Sequence, residues 1–334
     1  MLQPSPTRKK PGRLLRFASA LVVLLAVAGY LVVQYVTGGA ARTRCTVVSA
    51  GDDGVRHEFT PEQAVNAATI TAVGTTRGLP ERAITIALAT ALQESALRNI
   101  GHGDRDSLGL FQQRPSQGWG RPAQIMEPTY AAGRFYDHLV KVPGYTKLPL
   151  TVAAQRVQRS GFPDAYAKHE PDAALLAAAL TGRSAATLTC TGLPATSTRA
   201  KGPDAVRAAL VRDFGREVLQ PAGAEVSGQA TAAPSPSASP SASPGGSVGR
   251  VVTLPVAAGR GAESAAEVRR RGWQLAHWAV ANASALHIER VAYAGREWTA
   301  GSTGTRWRTA PATGSGAQGA ERGTGSVRII TARQ

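Results

Sequence analysis

The sequence predicts a mainly α-helical domain behind a single transmembrane helix, followed by a small α+β module. Three observations carry that reading. An uncharged run of twenty residues lies near the N-terminus, helical periodicity with cap signals fills about residues 45–200, and a Pro/Ser/Ala stretch at 222–249 marks a change of pattern.

The run from Phe17 to Val36, FASALVVLLAVAGYLVVQYV, has the length a helix needs to cross the hydrocarbon core of a bilayer. Before it, residues 1–16 carry Arg8, Lys9, Lys10, Arg13 and Arg16 and no acid. Such a basic tail stays in the cytoplasm, which puts everything after Val36 outside and makes the cytoplasmic membrane a partner of the chain. A cleaved signal peptide is the alternative. Its apolar region would normally be only about 7–15 residues long, although TGGAA at 37–41 is a stretch that can be cut. The two cysteines, Cys45 and Cys190, fall on the outer side. An even number in an oxidising compartment reads as one disulfide, with a free buried thiol pair as the other reading. No C-x-x-C and no histidine pair at ligand spacing occurs, so neither a metal nor another cofactor is implied.

Within 45–200, Thr60-Pro61-Glu62-Gln63 supplies a cap residue, a proline at the first helical position and a reciprocal Gln, and Gly78 closes the helix that follows. A second helix begins at Pro80 and carries AITIALATALQES. Residues 129–141, 150–160 and 164–181 read as further helices, the last interrupted or kinked by Pro171. Little alternates with period two, so this unit is expected to be mainly α. Residues 222–249 hold almost no apolar bulk and read as an extended linker. Beyond it, one helix over roughly 262–286 carries Val268, Trp273, Leu275, Trp278 and Val280. IERVAYAGREWTA reads as two strands about the turn Ala294-Gly295, VRIITA at 327–332 as a third, and 312–326 as a loop. Tryptophans at helical spacing belong to a core more often than to a ligand-stacking surface.

The formal net charge is +16. Five positive charges belong to the tail, while 249–334 holds twelve Arg against five Glu, a balance of +7. Outside a cell such a surface meets anionic lipid head groups and anionic wall polymers. No interleaved basic and aromatic pattern points to base stacking, so nucleic acid is not an expected partner.

One carboxylate stands out. Residues 83–93, AITIALATALQ, are uncharged, and the run ends on Glu94. There the negative end of the helix dipole and the adjoining apolar surface both favour a neutral acid, as a general acid requires. The glycine- and amide-rich segment that follows, GHGDRDSLGLFQQRPSQGWG, suits a loop that lines a groove for a polar polymer. The bland alternative is an exposed Glu94 paired with Arg98 at i+4, a contact worth little.

Gln93-Glu94-Ser95, followed by Ser107-Leu108-Gly109-Leu110-Phe111-Gln112-Gln113, resembles the lysozyme-like superfamily, in particular the soluble lytic transglycosylases, whose pattern is an E-S pair ending a helix and then a G-L-M-Q segment. The resemblance covers about 80–180. It implies a lysozyme-like domain that acts on peptidoglycan glycan strands, with Glu94 the catalytic acid/base at the bond between N-acetylmuramic acid and N-acetylglucosamine. Ser95 would be its supporting hydroxyl, and Gly109, Leu110, Gln112 and Gln113 the groove segment. The family's later A-Y-N-A-G stretch is missing; Ala153-Ala154-Gln155-Arg156-Val157 stands nearest, leaving Gln155 or Tyr166 to take the place of its Tyr and Asn. The first unit also resembles membrane-anchored proteins of high-GC Gram-positive bacteria, some bearing a heavy-metal transporter label that one span and no thiol or imidazole cluster do not support. Residues 268–310 resemble a small C-terminal module of bacterial wall-associated and secreted proteins. Two function classes follow: a single-carboxylate glycan lyase or hydrolase, and a non-catalytic wall-binding or scaffold protein. Hydrolases generally need two carboxylates about 5–9.5 Å apart. Asp104 and Asp106 are the nearby candidates, although Asp104-Arg105-Asp106 also reads as a set of loop-bracing ion pairs.

Overall fold

In the computed structural model, which describes residues 17, 21–30, 43–51, 53–161, 163–191, 202–220, 248–256, 264–301, 306–310 and 325–333, the chain divides into two units, 1–42 and 43–334. In the first, residues 17 and 21–30 are helical and exposed. Among the described residues no helix is long and apolar enough to cross a membrane. The rest of the expected span, the basic tail 1–16, the linker 222–249 up to residue 247 and most of the expected loop 312–326 lie outside the described residues.

The second unit opens with a sheet that the sequence reading did not contain. Strands β1 (Cys45–Val48), β2 (Arg56–Phe59) and β3 (Leu188–Cys190) pair antiparallel in the order β2-β1-β3. They are too short to show a period-two pattern, and β3 finds its partner only through the fold. Cys45 sits directly opposite Cys190 and is bonded to it, closing a loop across a separation of 145 residues. A disulfide of this kind fits an extracytoplasmic protein.

Helix α1 (Pro61–Thr76) starts as its cap signal requires. Thr60 Oγ1 accepts from the Gln63 amide at 3.3 Å, and Gln63 Oε1 accepts from the Thr60 amide at 2.7 Å. Helix α2 (Glu81–Ser95) is buried at every position from Ala83 to Leu92. Around it stand α3 (Pro122–Ile125), α4 (Pro128–Leu139), α5 (Leu150–Gln158), a 3-10 segment (Pro163–His169) and α6 (Glu170–Leu180). Pro171 opens α6 instead of kinking a longer helix, because the missing amide costs nothing in a first turn. Helix α7 (Gly202–Phe214) lies between the expected end of the domain and the linker, where the sequence predicts no element; it turns Val206, Ala209 and Leu210 inward.

The C-terminal module is α+β as expected, with two strands more. Its antiparallel sheet comprises β4 (Val251–Pro255), β5 (Ile288–Tyr293), β6 (Arg296–Thr299), β7 (Arg308–Thr309) and β8 (Ser326–Thr331), in the order β4-β8-β5-β6-β7. Helices α8 (Ala265–Ala281) and α9 (Ala283–Leu286) stand where one helix was expected. Residues on both sides of 222–249 contribute to one apolar core. Trp273, Trp278, Trp298 and Trp307 are all buried in it. Trp278 Nε1 donates to Asp213 Oδ2 at 2.8 Å, Thr69 Oγ1 donates to the same oxygen at 3.2 Å, and Trp307 Nε1 donates to the Leu188 carbonyl at 2.9 Å. Gly182, at φ 76°, lies so close to α8 that a Cβ there would collide with the Arg270 carbonyl. His277 Nδ1 donates to the Ala179 carbonyl at 2.7 Å.

Two stability predictions follow from these links. Replacing both cysteines by serine frees a loop of about 145 residues, which in the chain-entropy model lowers unfolding stability by about 4–5 kcal/mol; denaturant melts of wild type and variant measure it, and equal midpoints would reject it. Burial pushes the His277 imidazole down from its ordinary value near 6.5 to about 4. The unfolded state therefore binds the proton first, so the stability is fully present above about pH 6.5 and is lost as pH falls toward 4, by roughly 3 kcal/mol. His277→Gln should flatten that part of a melting-temperature profile against pH.

Candidate functional site

The site forms where α2 stops. Ala96 and Leu97 both adopt left-handed backbone, at φ 51° and 57°, a conformation that costs a non-glycine residue roughly 1–2 kcal/mol. Side chains of α1 hold them there. Gln63 Nε2 donates to the Ala96 carbonyl and Asn66 Nδ2 to the Leu97 carbonyl, each at 2.8 Å. Gln63 thus caps α1 and anchors the end of α2 at once. The sharp reversal leaves Glu94 half-buried at the mouth of the helix and turns Ser95 inward.

Ser95 Oγ donates to the Leu110 carbonyl at 2.8 Å, with the Ala91 carbonyl of its own helix 3.1 Å away, tying the helix end to the segment that follows. In that segment Leu108 and Gln113 form an isolated antiparallel bridge with both amides donating at 3.0 Å. Gly109 sits at φ 74°, where a Cβ would meet the Ile125 carbonyl at 2.8 Å, so glycine is required. Leu110 and Phe111 are buried, and Phe111 stacks on Phe135 with ring centroids 4.7 Å apart. Gln112 Nε2 donates to the Gly109 carbonyl at 3.1 Å, and the buried Gln113 donates to the Ala131 carbonyl at 3.0 Å. Gln113 is therefore a brace within the core, and only Gln112 of the pair is partly exposed.

Tyr166 and Gln155 reach Glu94 by one chain of hydrogen bonds. Tyr166 Oη donates to Glu94 Oε1 at 2.6 Å and is also bonded to the Ser160 side chain, while Gln155 Nε2 donates to the Ser160 carbonyl at 2.7 Å. Burial raises the Tyr166 phenol far above its ordinary range, and the Glu94 carboxylate adds to the effect. Three residues have roles the motif did not signal. His169 Nε2 lies 3.1 Å from Gln93 Oε1, Gln158 Nε2 donates to the Phe111 carbonyl at 2.7 Å, and Asn99 Nδ2 donates to the Met126 carbonyl at 2.7 Å. Burial, with Lys168 second, lowers His169. Arg98 turns its Nε toward the Ser95 carbonyl at 3.5 Å.

The two nearby aspartates are arranged as braces. Asp106 accepts from Arg114 Nε at 2.8 Å and from the Ser116 amide at 2.8 Å, contacts that hold its carboxyl far below the usual range. Asp104 is exposed, 4.0 Å from Arg105. Among the described residues no three His, Cys, Asp or Glu side chains cluster as metal ligands. A cavity of about 530 Å³ lies at the seam with α8, bordered by Glu81, Thr181, Arg270 and Gln274, and another of about 380 Å³ lies between β1 and α6; Glu94 lines neither.

A family model described as "VldE, C-terminal domain" matches residues 249–320. The match falls on the C-terminal module and leaves the region of Glu94 outside it. No curated protein matches the chain.

The Ser95 contact yields a test of the site's construction. Ser95→Ala leaves the buried Leu110 carbonyl without that donor, which should cost about 1–3 kcal/mol. Hydrogen exchange should then show faster exchange at the Leu108 and Gln113 amides; unchanged exchange would mean that the bridge stands without Ser95.

Proposed function

We propose that the chain is a membrane-anchored extracytoplasmic enzyme that cleaves peptidoglycan, a lytic transglycosylase acting between N-acetylmuramic acid and N-acetylglucosamine. The observation that carries the reading is the placement of Glu94 at the end of a buried helix, with Tyr166 donating to it at 2.6 Å and Ser95 binding the Gly109–Gln113 turn beside it. The basic tail, the apolar run from Phe17 and the Cys45–Cys190 bond support the location. Glu94 protonates the glycosidic oxygen, and the bond opens toward an oxocarbenium-like state. The resulting carboxylate takes the proton of the muramic acid 6-hydroxyl as that oxygen attacks the anomeric carbon, so no second carboxylate is needed. Asp104 and Asp106, one exposed and the other held by Arg114, fit that economy. Tyr166 positions the acid through the cycle.

A second reading has an observation of its own. One of the Glu94 oxygens is already engaged by Tyr166, which suits a groove that binds glycan without cutting it.

The Glu94→Gln substitution separates the readings. It should lower peptidoglycan digestion by about 10²–10⁴-fold with melting unchanged, while Asp104→Asn retains most activity. Equal digestion by wild type and Glu94→Gln refutes the catalytic assignment; sedimentation of both with sacculi, with no digestion by either, establishes the binding protein instead.

A further inference from the structure

One face of the C-terminal sheet takes no part in the core or in the site at Glu94. Strand register fixes which side chains share it. Along one row Thr253 of β4 faces Arg328 of β8, Arg328 faces Ala292 of β5, Ala292 faces Glu297 of β6, and Glu297 faces Arg308 of β7. In the neighbouring row Arg290 of β5 lies between Ile330 and Thr299. The alternate residues, among them Val252, Val291, Trp298 and Ile329, are buried on the opposite face. Arg290, Arg308 and Arg328 are exposed. Arg290 is 3.6 Å from Glu297, while Arg308 and Arg328 have no ion-pair partner among the described residues.

We infer that this face binds a linear phosphate-bearing polymer of the cell wall. At about 4.8 Å between neighbouring strands, Arg328 on β8 and Arg308 on β7 stand roughly 14 Å apart with Arg290 between them, a span that a chain of repeated charges meets at several points and a single small anion at one. The cations are all guanidinium; residues 249–334 hold twelve Arg and no Lys. The planar fork of a guanidinium matches phosphate oxygens in pairs. A bilayer surface fits less well, because among the described residues the large exposed apolar side chains lie between Phe17 and Val140, and none belongs to this module. A face without an apolar wedge gains only the electrostatic part of membrane binding. The inference rests on the reading that puts residues after Val36 outside the membrane, and it is independent of whether Glu94 cuts glycan.

The test uses the full chain carrying Glu94→Gln, so that failure of binding and failure of the catalytic reading are seen separately. Its probes are long-chain inorganic polyphosphate, sacculi with their phosphodiester polymers kept or removed by acid, and vesicles containing phosphatidylglycerol. Adding Arg290→Gln, Arg308→Gln and Arg328→Gln should weaken polyphosphate binding by about 100-fold and abolish the difference between the two sacculus preparations. Adding Arg216→Gln, Arg269→Gln and Arg271→Gln, the same charge change at other exposed positions, should leave both nearly unchanged. Melting curves confirm that each variant is folded. Equal losses in the two triple variants mean net charge alone and overturn the inference, as does a loss confined to the vesicles, which makes the face a membrane surface.

Discussion

The fold is organised by one buried helix that has to end at water. From Ala83 to Leu92 every position of α2 is covered, by α1, α4, α5, α6 and the 3-10 segment. An uncharged helix gains most from such a place, since no side chain then loses hydration without a partner. The chain cannot continue as helix past Ser95, because the segment 97–113 must fold back on the same core. Two consecutive left-handed residues make the reversal, and Gln63 and Asn66 hold their carbonyls. The glutamate at this point is exposed enough to meet a ligand and close enough to the core for Tyr166 to reach it.

What could be read from the sequence was mainly what is local. The capping box at Thr60, the helix starting near Pro80, the turn at Ala294-Gly295 and the last strand all follow from neighbours in the chain, and all are present. Tyr166 was legible only through the resemblance, as a substitute for a missing tyrosine, and its hydrogen bond to Glu94 depends on the 3-10 segment that follows α5. What escaped depends on distant parts of the chain. Strand β1 exists because β2 and β3 flank it, and α7 matters because Asp213 meets Thr69 and Trp278 from opposite ends of the chain. Gln158 and His169 carry no motif; their partners, Phe111 and Gln93, are set by packing alone.

The composition of 222–249 reads as a linker, yet the segments on either side of it share one core. Trp278, Trp307 and His277 each place a polar atom on the first part of the chain, and Gly182 lets the two backbones approach. Buried donors that would otherwise lack acceptors make such a seam specific as well as adhesive. It also ties the frame around α2 to the C-terminal module, since α8 packs on both α1 and α6. The sheet face that carries Arg290, Arg308 and Arg328 belongs to the same compact unit as Glu94.

The central claim is that one carboxylate, held by Tyr166, suffices to break a glycosidic bond by intramolecular attack. The most direct measurement is mass spectrometry of the muropeptides that the detergent-solubilised full chain releases from purified sacculi. The account predicts muramyl ends lacking one water, as 1,6-anhydro products, and their absence when Glu94 is glutamine. Reducing ends alone would contradict it, because they arise when water, and not the 6-hydroxyl, attacks the anomeric carbon.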